Sequence, residues 1–385
     1  LIKMMTAYTE EVDEVEDGLD EIMGQVSFGD LKKNSVGLVT CHIDFAHSGF
    51  IGKLCEKLPF DIIGMTTMAS ANQHGQGMYS LSLSVLTSDD VAFSTGMTGA
   101  LRPDNYRNKI IAAYADTAGK LPGKPSLIFP FFPYLSDLSG ALMHRCFNEA
   151  CGGIPFYGSL ATNINVSYER CHAFRNDESD EDGMVMLLMH GPVDPEFVLV
   201  SVPTENIRRN RGLVTGSDGC LLKEVNGLPA NKYMETLGIT LINDAPIVTP
   251  LMVYYEKCTE PVALGMYSVN DDGSIMCGGE LPAGASVAIG EITSDGILAS
   301  AREGMNRVLG CGKRNGAVIL PCVSRYVMLV PNQNDEMSII TSMMDEGRTM
   351  PFAAGYSGGE LCPVPDEAGV LRNRFHNYTF SACVF

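Results

Sequence analysis

A strand, a helix and a second strand running into glycine and hydroxyl residues recur three times along the chain. The copies span 36–67, 126–159 and 317–357, and end in Gly64-Met65-Thr66, Tyr157-Gly158-Ser159 and Gly355-Tyr356-Ser357. Each reads as a β-α-β unit, in which a helical crossover joins two parallel strands. Short apolar runs alternate with helical segments around the copies. The pattern predicts an α/β fold of two mixed-sheet domains built from repeated β-α-β units, with helices covering the sheets. Glycine at a strand end permits positive φ or the close approach of a neighbour. Ligands of open α/β sheets sit beyond the carboxyl ends of strands. A ligand is therefore expected at these three turns, near Thr66, Ser159, Tyr356 and Ser357.

Ahead of the first copy, Tyr8, Val12, Val15, Leu19, Ile22 and Val26 recur at three- and four-residue spacing with acids between them. That spacing predicts one amphipathic helix within residues 1–34. The first domain is expected over 35–240 and the second over 241–385. The acidic run 177–182 reads as a solvated hairpin turn, because a calcium loop needs glycine and spaced ligands. Residues 374–384 read as the last strand.

The composition narrows the partners. A net charge of −19 and a pI near 4.7 repel phosphate and anionic lipid, which argues against nucleic acid and membrane surfaces. The twelve cysteines contain no C-x-x-C pair, and no H-E-x-x-H occurs, so zinc-ribbon and zincin readings fall away and no metal is expected. Buried, reduced thiols fit a reducing compartment. The acidic start is unlike a signal peptide, and the apolar stretches 127–134 and 183–189 fall short of the ~20 residues of a membrane helix. A soluble, cytoplasmic protein without membrane insertion is expected.

Gly355-Tyr356-Ser357-Gly358-Gly359 matches G-x-S-x-G, and Asp366 and His376 follow in the order of a hydrolase triad. A nucleophile elbow needs a helix directly after the serine. The segment Leu361-Cys362-Pro363-Val364-Pro365 forbids one. A hydrolase using Ser357 or a reactive Cys322 is thus the enzymatic alternative to a binding protein. The glycines around Gly310-Cys311-Gly312 follow a helix and precede a strand, the reverse of a dinucleotide fingerprint. Any of seven histidines (His42, His47, His74, His144, His172, His190 and His376) has the chemistry of a haem axial ligand, and each has the bland alternative of a satisfied hydrogen bond. Arg325 is expected just past the strand 317–322, and Glu360 past the strand 352–356. The two would grip the charged groups of an amino acid, or pair with each other.

At these residues the chain resembles the FIST family. The matching stretches are Gly316-Ala317-Val318-Ile319-Leu320-Pro321-Cys322-Val323-Ser324-Arg325, Pro351-Phe352-Ala353-Ala354-Gly355-Tyr356-Ser357-Gly358-Gly359-Glu360 and Phe375-His376-Asn377-Tyr378-Thr379. They are similar to the family's strand ending in Cys-x-x-Arg, its turn closing in Gly-Glu and its final Asn-x-Thr strand, which adds Cys322 and Asn377 to the candidate ligand-binding residues. Ile62-Ile63-Gly64-Met65-Thr66-Thr67 and Val225-Asn226-Gly227-Leu228-Pro229-Ala230 are the likest parts of the N-terminal half. The resemblance implies a sensory protein that binds a small molecule such as an amino acid and works with a kinase, cyclase or chemotaxis receptor. Some relatives bind haem and sense nitric oxide. No output domain is read within the sequence, so a separate output partner is expected.

Overall fold

The computed structural model describes the chain except residues 164–170, 242–248, 257, 259, 314, 348 and 349. Three units of one plan organise it. The first holds β1 (Lys3–Thr9), α1 (Val15–Gln25), β2 (Asn34–Cys41), α2 (Ile43–His47), α3 (Phe50–Lys57), β3 (Ile62–Thr66), the hairpin β4 (Ser70–Asn72) and β5 (Gly75–Gly77), and β6 (Leu81–Ser88). The second holds β7 (Ala92–Ala100), α4 (Tyr106–Gly119), β8 (Leu127–Phe132), α5 (Gly140–Ala150), β9 (Gly158–Leu160), the hairpin β10 (Ala173–Arg175) and β11 (Glu178–Asp180), and β12 (Gly183–His190).

The third unit opens with β13 (Glu196–Val200) and then carries an insertion. The insertion comprises β14 (Gly212–Asp218), β15 (Leu221–Val225), β16 (Leu228–Pro229), α6 (Ala230–Thr236), β17 (Leu251–Tyr254), β18 (Val262–Leu264), β19 (Met266–Val269), β20 (Ile275–Cys277) and β21 (Ser286–Ile289). The unit resumes with α7 (Ser294–Gly310), β22 (Ala317–Ile319), α8 (Val323–Met328), α9 (Asp335–Gly347) and β23 (Phe352–Gly355). It ends with the hairpin β24 (Glu360–Pro365) and β25 (Leu371–His376), and β26 (Phe380–Val384).

The three sheets run β1-β6-β2-β3-β10-β11, β7-β12-β8-β9-β24-β25 and β13-β26-β22-β23-β4-β5. In each, the two strands of the β-α-β copy pair in parallel and all other pairs are antiparallel. The hairpin of each unit leaves its own sheet and closes another. The first unit's hairpin pairs with β23, the second's with β3 and the third's with β9. This exchange is cyclic and ties the units into one body. The insertion forms a fourth sheet, β18-β17-β21-β14-β15-β20-β19, with β16 on β15. Residue 240, the expected boundary, lies inside it, with strands of the same sheet on both sides.

Side chains alternate across each strand, and both faces are covered. Val36 and Leu38 from the first sheet, Phe129 and Phe131 from the second, and Val318 and Leu320 from the third face one shared core. Their neighbours face outward onto helices: Val39 and Cys41 meet Leu19 and Ile22 of α1, Ile128 and Phe132 meet Phe147 of α5, and Ile319 meets Met305 of α7. Two-sided burial explains why these strands read as unbroken apolar runs. Among the described residues no helix is long and apolar enough to cross a membrane.

Two expectations are corrected. The N-terminal helix covers only Val15–Gln25, and Tyr8 belongs to β1, whose far side packs into the shared core and so lacks a clean alternation. Residues 374–384 are not one strand. Tyr378 takes φ 62° and breaks the segment into β25 and β26, which join different sheets. The acidic run 177–182 holds the expected hairpin turn only at its start: its residues Glu178–Asp180 form β11, which pairs back on β10, and the run ends in the connection to β12.

Of the two uses of glycine at the strand ends, close approach is the one found. A Cβ on Gly64 would overlap the ring of Phe174, and on Gly158 the Pro130 carbonyl oxygen. Gly158→Ala is expected to cost about 3 kcal/mol, because that contact is with backbone that does not yield. The urea midpoint would report it.

Candidate functional site

The carboxyl ends of the three parallel pairs converge. The Thr162 amide donates to the Thr66 carbonyl at 3.0 Å, and the Gly358 amide to the Leu160 carbonyl at 2.9 Å. In the third position the Thr67 hydroxyl donates to the Tyr356 carbonyl at 2.8 Å. The three turns thus form a closed ring of contacts at one point in the molecule.

On this ring sits a fully buried polar cluster. Ser159 Oγ lies 2.8 Å from Ser357 Oγ, which accepts from the Gly359 amide at 3.0 Å. The register of β24 on β9 places Glu360 opposite Ser159. Glu360 Oε2 accepts from the Thr379 hydroxyl at 2.8 Å and from its amide at 3.3 Å, while Oε1 has no hydrogen-bond partner among the described residues. Burial pushes the Glu360 carboxyl up to about 8, with Thr379, Cys322 and Ser357 pulling the other way. At neutral pH the group is therefore mostly an uncharged acid, able to donate as well as accept. Two other strand-end hydroxyls, Thr40 Oγ1 and Thr162 Oγ1, are likewise buried without a partner among the described residues.

Of the residues expected to bind ligand, Ser159, Ser357, Glu360 and Cys322 come together here, and Thr66 joins through the ring. Thr66 is fixed by the exchanged hairpin, since its hydroxyl accepts from the His172 amide at 3.0 Å. Arg325 does not join them. It lies in α8 rather than just past a strand, and its partner is Glu336 at the start of α9, with Nε and Nη2 at 2.8 and 2.6 Å from Oε1. Tyr356 turns the same way, into the apolar cluster with Tyr326, ring centroids 5.2 Å apart. Asn377 faces the insertion and accepts from the Gly265 amide at 3.0 Å. Sequence reasoning missed Thr379 and Glu336. Thr379 lies in the Asn-x-Thr segment already singled out, in the turn between β25 and β26. Glu336 lies eleven residues after Arg325 and carries no local signal.

The triad geometry is not assembled. Ser357 bonds Ser159 and Gly359, His376 Nε2 lies 3.0 Å from the Cys362 carbonyl, and Asp366 holds Arg372 and its own turn. After Ser357 comes a strand, not a helix. Burial pushes the Cys322 thiol up, away from the thiolate a nucleophile requires.

His144 and His376 are enclosed, and burial pushes them down to about 3 and about 4. His42 pairs with Asp44, His190 Nδ1 meets the Lys124 carbonyl, His47 meets His172, and His74 is exposed.

At the far end of the β24–β25 hairpin lies an open polar cleft of about 350 Å³. Glu256, Cys258, Asp366, Arg372 and Arg374 line it. Arg372 is held by Asp366, whereas Arg374 Nε is buried without a partner among the described residues.

No match is found among curated proteins. Among solved structures, a cyanuric acid hydrolase described as an evolutionary innovation by structural concatenation is similar over 100% of this chain and 98% of its own, at 8% identity and a TM-score of 0.38. A second cyanuric acid hydrolase, from A. caulinodans, is similar over 50% of this chain and 72% of its own, at 10% identity and a TM-score of 0.27. At such scores neither likeness bears on what the chain binds or does. Family models give a direct answer: the FIST N domain matches residues 35–228 and the FIST C domain residues 224–363. Together they span most of the chain, which belongs to the FIST family.

Proposed function

We propose that this protein is a small-molecule sensor whose ligand binds at the converging strand ends, with Glu360 as the group that recognises it. FIST domains are sensory domains of signal transduction. The observation that carries the site is Glu360 Oε1, a fully buried carboxyl oxygen with no hydrogen-bond partner among the described residues, with the Cys322 and Ser357 side chains near enough to act on the group. Buried polar atoms normally find partners, and an exception at a structural convergence calls for a ligand or water. Thr40 and Thr162 present two more such atoms at neighbouring strand ends.

The ligand class follows from the charge. Arg325 is committed to Glu336, so a carboxylate here would be met by the Glu360 acid proton and by hydroxyls rather than by a cation. An amino acid or a related small metabolite fits, and its binding should weaken once Glu360 ionises and repels it. The signal would pass inside the cell to a separate output protein such as a kinase, cyclase or chemotaxis receptor.

A thermal-shift screen of amino acids and related metabolites tests this reading. A ligand at 100 times its dissociation constant adds about 2.7 kcal/mol to the folded state. Glu360→Ala should abolish the shift, and Glu360→Gln, which keeps a neutral donor, should retain it at pH 7. A hit untouched by Glu360→Ala but lost in Arg374→Gln would move the site to the cleft and overturn the assignment.

A further inference from the structure

We propose that His47, His172 and Glu181 form a divalent transition-metal site, suited to Zn²⁺, that clips the exchanged β10–β11 hairpin to the first unit. His47 ends α2, His172 immediately precedes β10, and Glu181 sits in the connection from β11 to β12. The three come from two different units and meet only because the hairpin has crossed over. The two imidazoles present their Nε2 atoms to each other at 3.0 Å, and Glu181 Oε1 lies 3.5 Å from His172 Nε2. All three ligand atoms fall within 4.8 Å of one another.

These separations match a coordination sphere. A tetrahedral ion with ligands at roughly 2.05 Å holds them about 3.3 Å apart. The two measured distances lie on either side of that value, and the third pair, His47 and Glu181, lies within 4.8 Å, so the exposed His47 and Glu181 side chains would adjust around the ion. Two imidazole nitrogens and one carboxylate oxygen are a borderline donor set of the kind zinc takes. With three protein ligands, a fourth position is left for water.

Access and rigidity are both provided. His172 is 4% exposed, and its backbone is held on both sides by Thr66, whose amide donates to its carbonyl at 2.8 Å. His47 and Glu181 are exposed, so an ion can enter from solution. The site adjoins the strand-end ring through Thr66, yet shares no side chain with the Glu360 cluster. Its occupancy can therefore be tested separately from the proposed ligand.

The experiment uses the full chain, stripped with chelator and titrated with Zn²⁺ and, as a spectroscopic probe, Co²⁺. One equivalent should bind, Co²⁺ should show the intense visible bands of four-coordination, and Zn²⁺ should raise the melting temperature. His47→Ala and Glu181→Gln change exposed side chains, so both should fold. The first should weaken binding by more than about 100-fold and the second by about 10-fold, since even outer partners of a metal site cost 10–100-fold. His74→Ala, at an exposed histidine elsewhere, should bind as the parent does. The proposal is overturned if the parent shows no Co²⁺ bands and no Zn²⁺-dependent melting shift at millimolar metal. Equal affinity in His47→Ala overturns it too.

Discussion

Replacing Arg325 with alanine is expected to destabilise the protein by about 3–5 kcal/mol, seen as a large fall in the urea midpoint. The side chain is 2% exposed and Glu336 is wholly buried. Beyond the ion pair, Arg325 Nη2 donates to the Ile297 carbonyl and Ser300 Oγ, both at 2.9 Å, and Nη1 to the Tyr378 carbonyl at 3.3 Å. One guanidinium thus joins α7, α8, α9 and the turn between β25 and β26. Alanine would strand a buried carboxylate and three acceptors. From the sequence, Arg325 was expected to grip a ligand or to pair with Glu360. Geometry overturns both, because every contact of the guanidinium is internal and its acid is Glu336. The double variant Arg325→Met, Glu336→Leu removes both charges and should recover most of the loss, since apolar replacement of a buried pair is often neutral or better. A single variant within about 1 kcal/mol of the parent would show that the pair is dispensable.

Much of this architecture was legible because it is local. The three β-α-β copies are the three parallel pairs, and their glycine turns are the residues that converge. The cyclic exchange of hairpins was not legible, because β4–β5, β10–β11 and β24–β25 look alike whether they pair at home or in another sheet. The same limit applies to Arg325. A strand-end arginine and an acid at the next strand end are the right chemistry for a ligand, but whether they meet depends on where α9 delivers Glu336. Glu360 was recognisable by position, yet its partner Thr379 lies in the turn that leads into β26, a strand of a different sheet from β24. His47, His172 and Glu181 are separated by 125 residues between the histidines alone, and no spacing rule links them.

Glu360→Gln is expected to stabilise the protein at pH 9 and leave it nearly unchanged at pH 4. The folded carboxyl titrates near 8 against an ordinary value of 4.5. Below 4.5 both folded and unfolded chains hold the proton, and no penalty exists. Between 4.5 and 8 the unfolded chain releases it while the folded chain keeps it, so stability falls as pH rises. Above 8 the folded state carries a buried carboxylate, and the accumulated cost is on the order of 5 kcal/mol. Glutamine has the same shape and no charge. Its amide oxygen can accept from Thr379, and its amide N–H can stand where the acid proton stood. His144 and His376 act in the opposite sense, favouring the fold above their ordinary range and losing that contribution as pH falls. They are common to both proteins and cancel in the difference. Melting curves of parent and variant should therefore diverge steadily from about pH 5 to pH 9, and parallel curves would mean that Glu360 is not held neutral. The same comparison bears on ligand recognition. If an acid proton at Oε1 meets the ligand, affinity for the parent should drop above pH 8 while the glutamine variant binds equally across the range.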